Sequence, residues 1–508
     1  MLARAHSFTI DGLDTRHVSV EVDVRRGLPA FTIVGLADAA VRESRERVRA
    51  AILNSGLRFP AERITANFAP GDVRKAGPTL DLALACAVLA ASGQLPRERL
   101  DDHVLFGELA LDGGVRPSRG ALAVAQATRR TGLGTLILAG ARAGEAQLID
   151  GLRVVAAERL SSAVRVLDGG PGDSPPALPQ APRTTRARPG PELADVRGQD
   201  QAVRALLIAA AGAHNCLFSG APGTGKTMLA QRLGPILPPL SRTEAIEVTQ
   251  IHSMAGTCDG GLASERPLRA PHHTITPAGL VGGAARGAIG EVALAHNGVL
   301  FLDELAEFSR PALEALRQPL EDGRVAIVRA RLSAVYPARF MLLAATNPCP
   351  CGYAGVGERC RCSETELARH RRRLSGPLLD RIDLLAQFDH RGARDLRAPA
   401  AMTSSQAREQ VMAARERQAR RLGDEPVSVN ARMDARMLAR YAKLPERAER
   451  MLGEGRERGL LSARGQDRVL RVARTIADLA GSERLRTSDL GEAMAMRGET
   501  TVNGNRAA

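Results

Sequence analysis

An α/β fold, a parallel sheet with flanking helices, is predicted for the middle of this 508-residue chain by three short apolar runs that each end in chemistry. Cys216-Leu217-Phe218-Ser219 leads into Gly220-Ala221-Pro222-Gly223-Thr224-Gly225-Lys226-Thr227, which fits the phosphate-loop pattern G-x-x-x-x-G-K-[ST] at every fixed position. Val299-Leu300-Phe301-Leu302 ends in Asp303-Glu304, and Phe340-Met341-Leu342-Leu343-Ala344-Ala345 runs into Thr346-Asn347-Pro348. Continuous apolar strands are those buried on both faces, as in parallel sheets. Such sheets bind ligands at the carboxyl ends of their strands.

The elements follow in chain order. Residues 1–167 read as a separate α/β domain. Val18-Ser19-Val20-Glu21-Val22-Asp23-Val24 alternates strictly, as a half-buried strand does, and Phe31-Thr32-Ile33-Val34 is a second strand. Asp38 to Leu53 has helical periodicity with arginines on one face, Leu80 to Leu89 is an apolar helix, and Thr135-Leu136-Ile137-Leu138 is a late strand. Residues 168–191 contain seven prolines among Gly, Ser and Thr and cannot pack a core. They read as a linker, with Arg183, Arg186 and Arg188 keeping it solvated or touching a polyanion. Residues 192–395 hold the sheet described above. Residues 396–508 are a helical region, with periodicity over Gln406–Leu422, Ala431–Tyr441, Pro445–Glu457, Ala463–Ala480 and Thr487–Met496. No internal repeat is evident.

The residue types at the three strand ends suit nucleotide hydrolysis. The glycines let successive backbone N–H groups face phosphate, Lys226 adds a point charge, and Thr227 offers a hydroxyl to Mg²⁺. Asp303 can hold that magnesium through water while Glu304 polarises an attacking water. Asn347, at the third strand's end, can orient the lytic water. ATP and Mg²⁺ are the cofactors this pattern calls for.

Composition narrows the class. A hydrophobic share of 44% and a charged share of 25% are those of a globular protein. No apolar run approaches 18 residues, so no membrane span is expected, and Met1–Ser7 lacks the apolar core of a signal peptide. A cytoplasmic location is the expectation. The formal net charge is +14, nearly all from arginine, which suits a nucleic-acid partner; an arginine-rich proteome is the alternative source. With aromatics at 3% and no Trp, base stacking is poorly served. DNA contacts would then be made to the phosphate backbone and be salt-sensitive.

The order of these motifs resembles that of AAA+ ATPases, and in detail the magnesium-chelatase-like YifB/ComM family. The strings that carry the likeness run nearly end to end: Ala194-Asp195-Val196-Arg197-Gly198-Gln199, Arg269-Ala270-Pro271-His272-His273-Thr274, Leu294 to Leu305, Asn347-Pro348-Cys349-Pro350-Cys351-Gly352 and Ser462-Ala463-Arg464-Gly465. The resemblance implies a P-loop AAA+ core with a helical lid, assembled as a homohexameric motor. In ComM members it implies a branch-migration helicase acting on DNA in recombination during natural transformation. Ser375 to Asp383 is similar to the family's arginine-finger segment, so Arg381 would reach the γ-phosphate of a neighbouring subunit. Asp380 or Arg373 can be confused with it, and a surface salt bridge is the alternative. Arg464 looks like the sensor-2 arginine, projecting from the lid toward the nucleotide; Arg464, Arg468 and Arg471 share one helix face, which is otherwise a solvated face. The family's pore insertions correspond to Gly279–Ile289, with Arg286, and Val328–Tyr336, with Arg329 and Arg331. Those arginines would grip DNA phosphates unless the hairpins are purely structural. Arg369-His370-Arg371-Arg372-Arg373 adds to a basic track or faces solvent.

Four of the seven cysteines, Cys349, Cys351, Cys360 and Cys362, lie within fourteen residues. Four thiolates on a glycine-bearing loop can close a tetrahedral structural Zn²⁺ site; free or redox-active thiols are the alternative. The first domain resembles the Lon-type protease fold. There Thr79 replaces the serine of the nucleophile motif, and Leu122 stands where the catalytic lysine would be, so proteolysis is not expected. A chelatase-like ATPase that remodels a protein partner is the second reading of the whole chain.

Overall fold

The computed structural model describes residues 1–497 apart from 36–37, 74, 76, 174–190, 259–260, 284–287, 330–331, 375, 389–399, 401 and 460. The linker arginines, Arg286 and Arg331 therefore lie outside the described residues. The chain divides into two compact units, Met1–Thr184 with Ala245–Ala263 and Ala326–Tyr336, and Thr185–Glu244 with Ser264–Val325 and Pro337–Ala508. Two stretches inside the 192–395 span thus fold with the first unit.

The first unit is built on a seven-stranded mixed sheet. Its strands are β1 (Leu2–Asp11), β2 (Asp14–Arg25), β3 (Ala30–Val34), β4 (Arg63–Ala69) and β5 (His103–Phe106), then, after the small hairpin β6 (Glu108–Leu109) and β7 (Val115–Arg116), β8 (Thr135–Leu138) and β9 (Arg153–Ala156). The order is β3-β4-β2-β1-β5-β8-β9. The strict alternation of β2 has its expected result: Val18, Val20 and Val22 are buried on one face with Ile64 and Phe68. Over that face lies the helix Asp81–Ala91, in which every residue is buried. That explains its uniform hydrophobicity: with no polar face, it can only be a central helix. Phe8, Val104, Phe106, Leu136 and Leu138 form the core on the opposite face, with Leu122 among them. The helix Arg242–Ala255 lies largely in this unit, where Ser253 Oγ donates to the buried Glu145 at 2.5 Å.

The second unit carries a five-stranded, all-parallel sheet: β10 (Cys216–Gly220), β11 (Leu268–Arg269), β12 (Val299–Leu302), then, after the ribbon β13 (Arg324–Arg329) and β14 (Leu332–Pro337), β15 (Met341–Thr346) and β16 (Leu384–Phe388). The order is β11-β12-β15-β10-β16. The register pairs Leu302 with Ala344, Ser219 with Thr346 and Ser219 with Gln387. The ends of β10, β12 and β15 therefore reach one edge, which is why three motifs distant in sequence can meet there. Helix Asp200–Gly212 and the helices Ser404–Leu422 and Ala463–Leu479 bury their apolar stripes in one core with this sheet.

Several boundaries moved for local reasons. The helix expected from Ala431 starts at Ala435, because the Asp434 carboxylate caps it by accepting from Met437 N–H. Before it, Asn430–Arg432 is a short 3₁₀ turn. The helix expected from Gln406 starts at Ser404, because Thr403 and Gln406 form a capping box. Among the described residues, no helix is long and apolar enough to cross a membrane.

Candidate nucleotide-binding site

The phosphate loop joins β10 to the helix Lys226–Ala230. Gly223 and Gly225 hold φ of +77° and +95°, a left-handed backbone that strains any side chain and turns the loop's N–H groups inward. Lys226 is 9% exposed, and its ammonium donates to Gly220 O at 2.7 Å, Ala221 O at 2.9 Å and Asn347 Oδ1 at 3.1 Å. Burial holds the Lys226 amine below its ordinary value, partly offset by Asp303 and Glu304. Thr227 Oγ1 donates to Asp303 Oδ2 at 2.7 Å. Two hard oxygen donors thus converge on one point, which fits a magnesium ion.

Glu304 sits in a left-handed backbone conformation, φ +51°. Its amide donates to Asp303 Oδ1 at 2.9 Å, and its carboxylate lies 3.3 Å from His273 Nδ1. His273 in turn stacks on His272, with ring centroids 4.1 Å apart, and meets Phe308 edge-on. His273 was visible in the sequence only as part of a family string, without a role. Nothing in the spacing of that string to Asp303-Glu304 tells that strand β11 lies beside β12.

Asn347 leaves β15 toward Lys226, and its carbonyl is held by His370 Nε2 at 3.0 Å. The four cysteines follow at once. Their Sγ atoms all lie within 4.8 Å of one another, with Cys349 buried. Backbone N–H bonds from Tyr353 and Arg361 draw the Cys351 thiol down to about 6. Cys362 accepts from the Cys351 N–H yet is pushed up to about 12 by desolvation and the neighbouring thiols.

Arg381 and Arg464 are elsewhere. Both line a cavity of about 520 Å³ with Asn215, Glu321, Asp383 and Arg468. Asn215 precedes β10 and Asp383 precedes β16, so this cavity is at the amino ends of strands whose carboxyl ends hold the phosphate loop. Arg381 is 15% exposed; its guanidinium donates to Arg317 O at 3.1 Å and Pro377 O at 2.7 Å and pairs with Glu321. Arg464 is exposed beside it. Arg468 lies 3.6 Å from Asp383, and Arg471 Nε donates to Met433 O at 2.7 Å, so this helix face is not merely solvated. Asn215 ties the region together: it donates to Arg381 O and accepts from Leu342 N, while its own amide donates to Asp383.

Comparison with known proteins bears directly on this arrangement. The models for magnesium chelatase subunit ChlI match residues 192–396 and 20–142, and that for its C-terminal region matches residues 401–497. The chain is 41% identical over 500 residues to the uncharacterised protein YifB of Escherichia coli, covering 98% of this chain and 97% of that one. It is 40% identical over 509 residues to the competence protein ComM of Haemophilus influenzae, again covering 98% and 97%. An uncharacterised protein of Mycobacterium tuberculosis is 45% identical over 487 residues, covering 94% and 95%. This chain belongs to the YifB/ComM family.

Its α/β architecture with a parallel sheet is thus that of the magnesium-chelatase-like AAA+ proteins. Val328 to Tyr336, expected to be a pore insertion, falls within the ribbon β13–β14; Arg329 is in β13, and its side chain lies outside the described part. The first insertion begins as a helix Pro277–Val281 and closes through an antiparallel bridge between Gly282 and Ile289, flanking the undescribed Arg286. Arg369, Arg372 and Arg373 line a basic hollow with Arg310, and Arg373 lies 3.5 Å from Glu307. In the first unit Leu122 is 1% exposed in an apolar core, the Thr79 carbonyl accepts from Gly107 N–H, and Lys75 is buried with its ammonium on Pro70 O.

Proposed function

We propose that this chain is an ATP-driven, ring-forming motor acting on DNA, in keeping with a branch-migration role. The observation that carries the nucleotide part is the convergence of Lys226, Thr227, Asp303 and Asn347 at one sheet edge. Lys226, now bonded to two loop carbonyls and Asn347, would exchange them for phosphate oxygens. Thr227 and Asp303 would hold magnesium, which when bound neutralises charge on the β- and γ-phosphates. Glu304 would accept the proton of a water attacking the γ-phosphorus as the bond to the bridging oxygen breaks and ADP leaves. His273 would hold the Glu304 carboxylate in position as that base, and Asn347 would orient the water.

The separation of Arg381 and Arg464 from their own chain's phosphate loop supports a reading in which both serve the nucleotide of a neighbouring copy. Each site would then be incomplete without the next chain, as a motor with sequential firing needs. A DNA partner is supported by the net charge of +14 and by the hollow lined by Arg310, Arg369, Arg372 and Arg373. Remodelling of a protein partner is the competing use of the same engine. Peptide hydrolysis lacks support, since buried Leu122 offers no base. The four cysteines we read as the seat of a structural zinc ion.

The test is ATPase rate with and without a synthetic Holliday junction, alongside junction dissociation. The expected result is stimulation and dissociation by the parent, with Lys226→Ala reducing both by about 10²-fold or more. A basal rate that no DNA changes would reject the DNA reading and point to a protein client.

A further inference from the structure

The cysteine cluster is packed against the phosphate loop, and that contact gives it more than a local bracing role. Zn–S bonds of about 2.3 Å in a tetrahedron set S···S edges of about 3.8 Å. The Sγ atoms of Cys349 and Cys360 are 3.8 Å apart, and those of Cys351 and Cys360 3.7 Å. Cys349 and Cys351 are closer, at 3.3 Å, and Cys362 is within 4.8 Å of all three. Two of the six S···S edges already match the tetrahedral value, and the rest lie no more than about 1 Å beyond it. Cys349 Sγ also accepts the Ala354 N–H at 3.2 Å. Four thiolates this close need a cation among them. All-sulfur tetrahedral donors select zinc among the common divalent ions.

The loop carrying these sulfurs meets the nucleotide site at two points. Gly352, between the two cysteine pairs, has φ +85°, and a Cβ there would lie 2.4 Å from Pro222 Cδ. Backbone of the metal loop therefore rests directly on the phosphate loop, where only glycine fits. Upstream, Asn347 is two residues from Cys349 and bonds the Lys226 ammonium. Downstream, the helix Glu364–Arg373 starts two residues after Cys362, with a capping box at Ser363, and returns His370 to the Asn347 carbonyl. Gly220, Ala221, Asn347, Ala354, Gly355 and His370 together line a cavity of about 370 Å³. Asn347 is thus fixed from both sides by the segment the four sulfurs close.

We propose that zinc bound by Cys349, Cys351, Cys360 and Cys362 clamps residues 347–370 onto the phosphate loop, so that metal occupancy sets nucleotide affinity. The proposal rests on the reading of Lys226 and Asn347 as phosphate-site residues. Loss of the ion by chelation would free the loop from Pro222 and let Asn347 leave Lys226. The site is then a metal-dependent control on nucleotide binding.

The full chain, purified without chelator, is assayed for metal by mass spectrometry and for affinity by titration with mant-ATP and Mg²⁺. Parent, Cys360→Ser, Cys362→Ser and Gly352→Ala are compared, with circular dichroism reporting fold. The expected result is about one zinc per parent chain and a content well below that in both serine variants. Affinity in those variants should fall roughly tenfold or more, as displaced positioning groups cost. Gly352→Ala should keep its zinc yet lose affinity, which separates the clamp from any unfolding of the serine variants. A parent without zinc, or with iron instead, overturns the metal site whatever nucleotide binding shows. Zinc-loaded parent that binds no mant-ATP overturns the nucleotide reading, and with it the coupling, while leaving the metal count standing. Unchanged affinity in Gly352→Ala together with well-folded, zinc-free serine variants overturns the clamp alone.

Discussion

Glu304 holds a left-handed backbone at φ +51° beside a histidine that engages its carboxylate. A non-glycine residue there is strained by about 1–3 kcal/mol, and such strain persists only where the surroundings fix it. The Asp303 side chain provides that fixing by accepting the Glu304 amide at 2.9 Å. His273 then decides where the carboxylate points. If it positions the base, His273→Ala should lower kcat by roughly tenfold, within the ~10²–10⁴-fold a general base supplies, with KM for ATP unchanged. A fall in stability with kcat intact would show His273 to be only a packing residue. The Asp303-Glu304 pair was legible because its apolar run follows a complete phosphate-loop pattern in the same chain; alone, two acids after such a run read equally as a strand end at the surface. His273 was not, because its link to Glu304 runs across two strands.

At the scale of elements, the apolar runs gave strand positions well: β8 and β12 occupy the four residues expected of each. β1 went unread because Leu2–Asp11 mixes Ala3 and Ala5 with Arg4 and His6, and small residues make weak alternation. β16 went unread because Leu384–Phe388 is only five residues long, too short for its pattern to tell strand from helix. Helix starts shifted toward their capping residues, Thr403 and Asp434, as hydrogen-bond satisfaction at a helix end overrides periodicity. The least legible device was the joint at the sheet's amino edge. Burial alone would raise the Asp383 carboxyl, but His214, whose Nδ1 lies 3.5 Å away, and then the charge of Arg468 hold it below its ordinary value. A depressed carboxylate contributes stability that is fully present above its unfolded value of about 4 and is lost as pH falls through the folded one. Asp383→Asn should therefore cost about 2 kcal/mol at pH 7 in urea unfolding, and the gap to the parent should narrow below about pH 4. A gap that stays constant down to pH 3 would mean that the ion pair with Arg468 contributes nothing.

The whole molecule presents its phosphate loop and its two candidate trans arginines at opposite strand ends, which a lone chain cannot bring together. Mixing therefore tests assembly. Arg381→Ala alone should lose about 10³-fold or more in ATPase rate, the cost of a missing arginine finger. Adding Lys226→Ala chains, which keep Arg381, should restore part of that rate, since some interfaces then pair an intact loop with an intact finger. The same mixture with Arg464→Ala asks whether the lid arginine also acts across the interface; no recovery would place it in cis. By itself the sequence determined the phosphate-loop pattern, the parallel sheet and the helical C-terminal region. Phosphate loops, buried strands and amphipathic helices each write their physics into adjacent residues. Only the tertiary structure decided what depends on loops and strands meeting from afar. It set His273 against Glu304, grouped Arg464 with Arg381 away from Lys226, and laid Gly352 of the cysteine loop on Pro222. Those meetings depend on strand order and on close backbone approach, and spacing along a chain encodes neither.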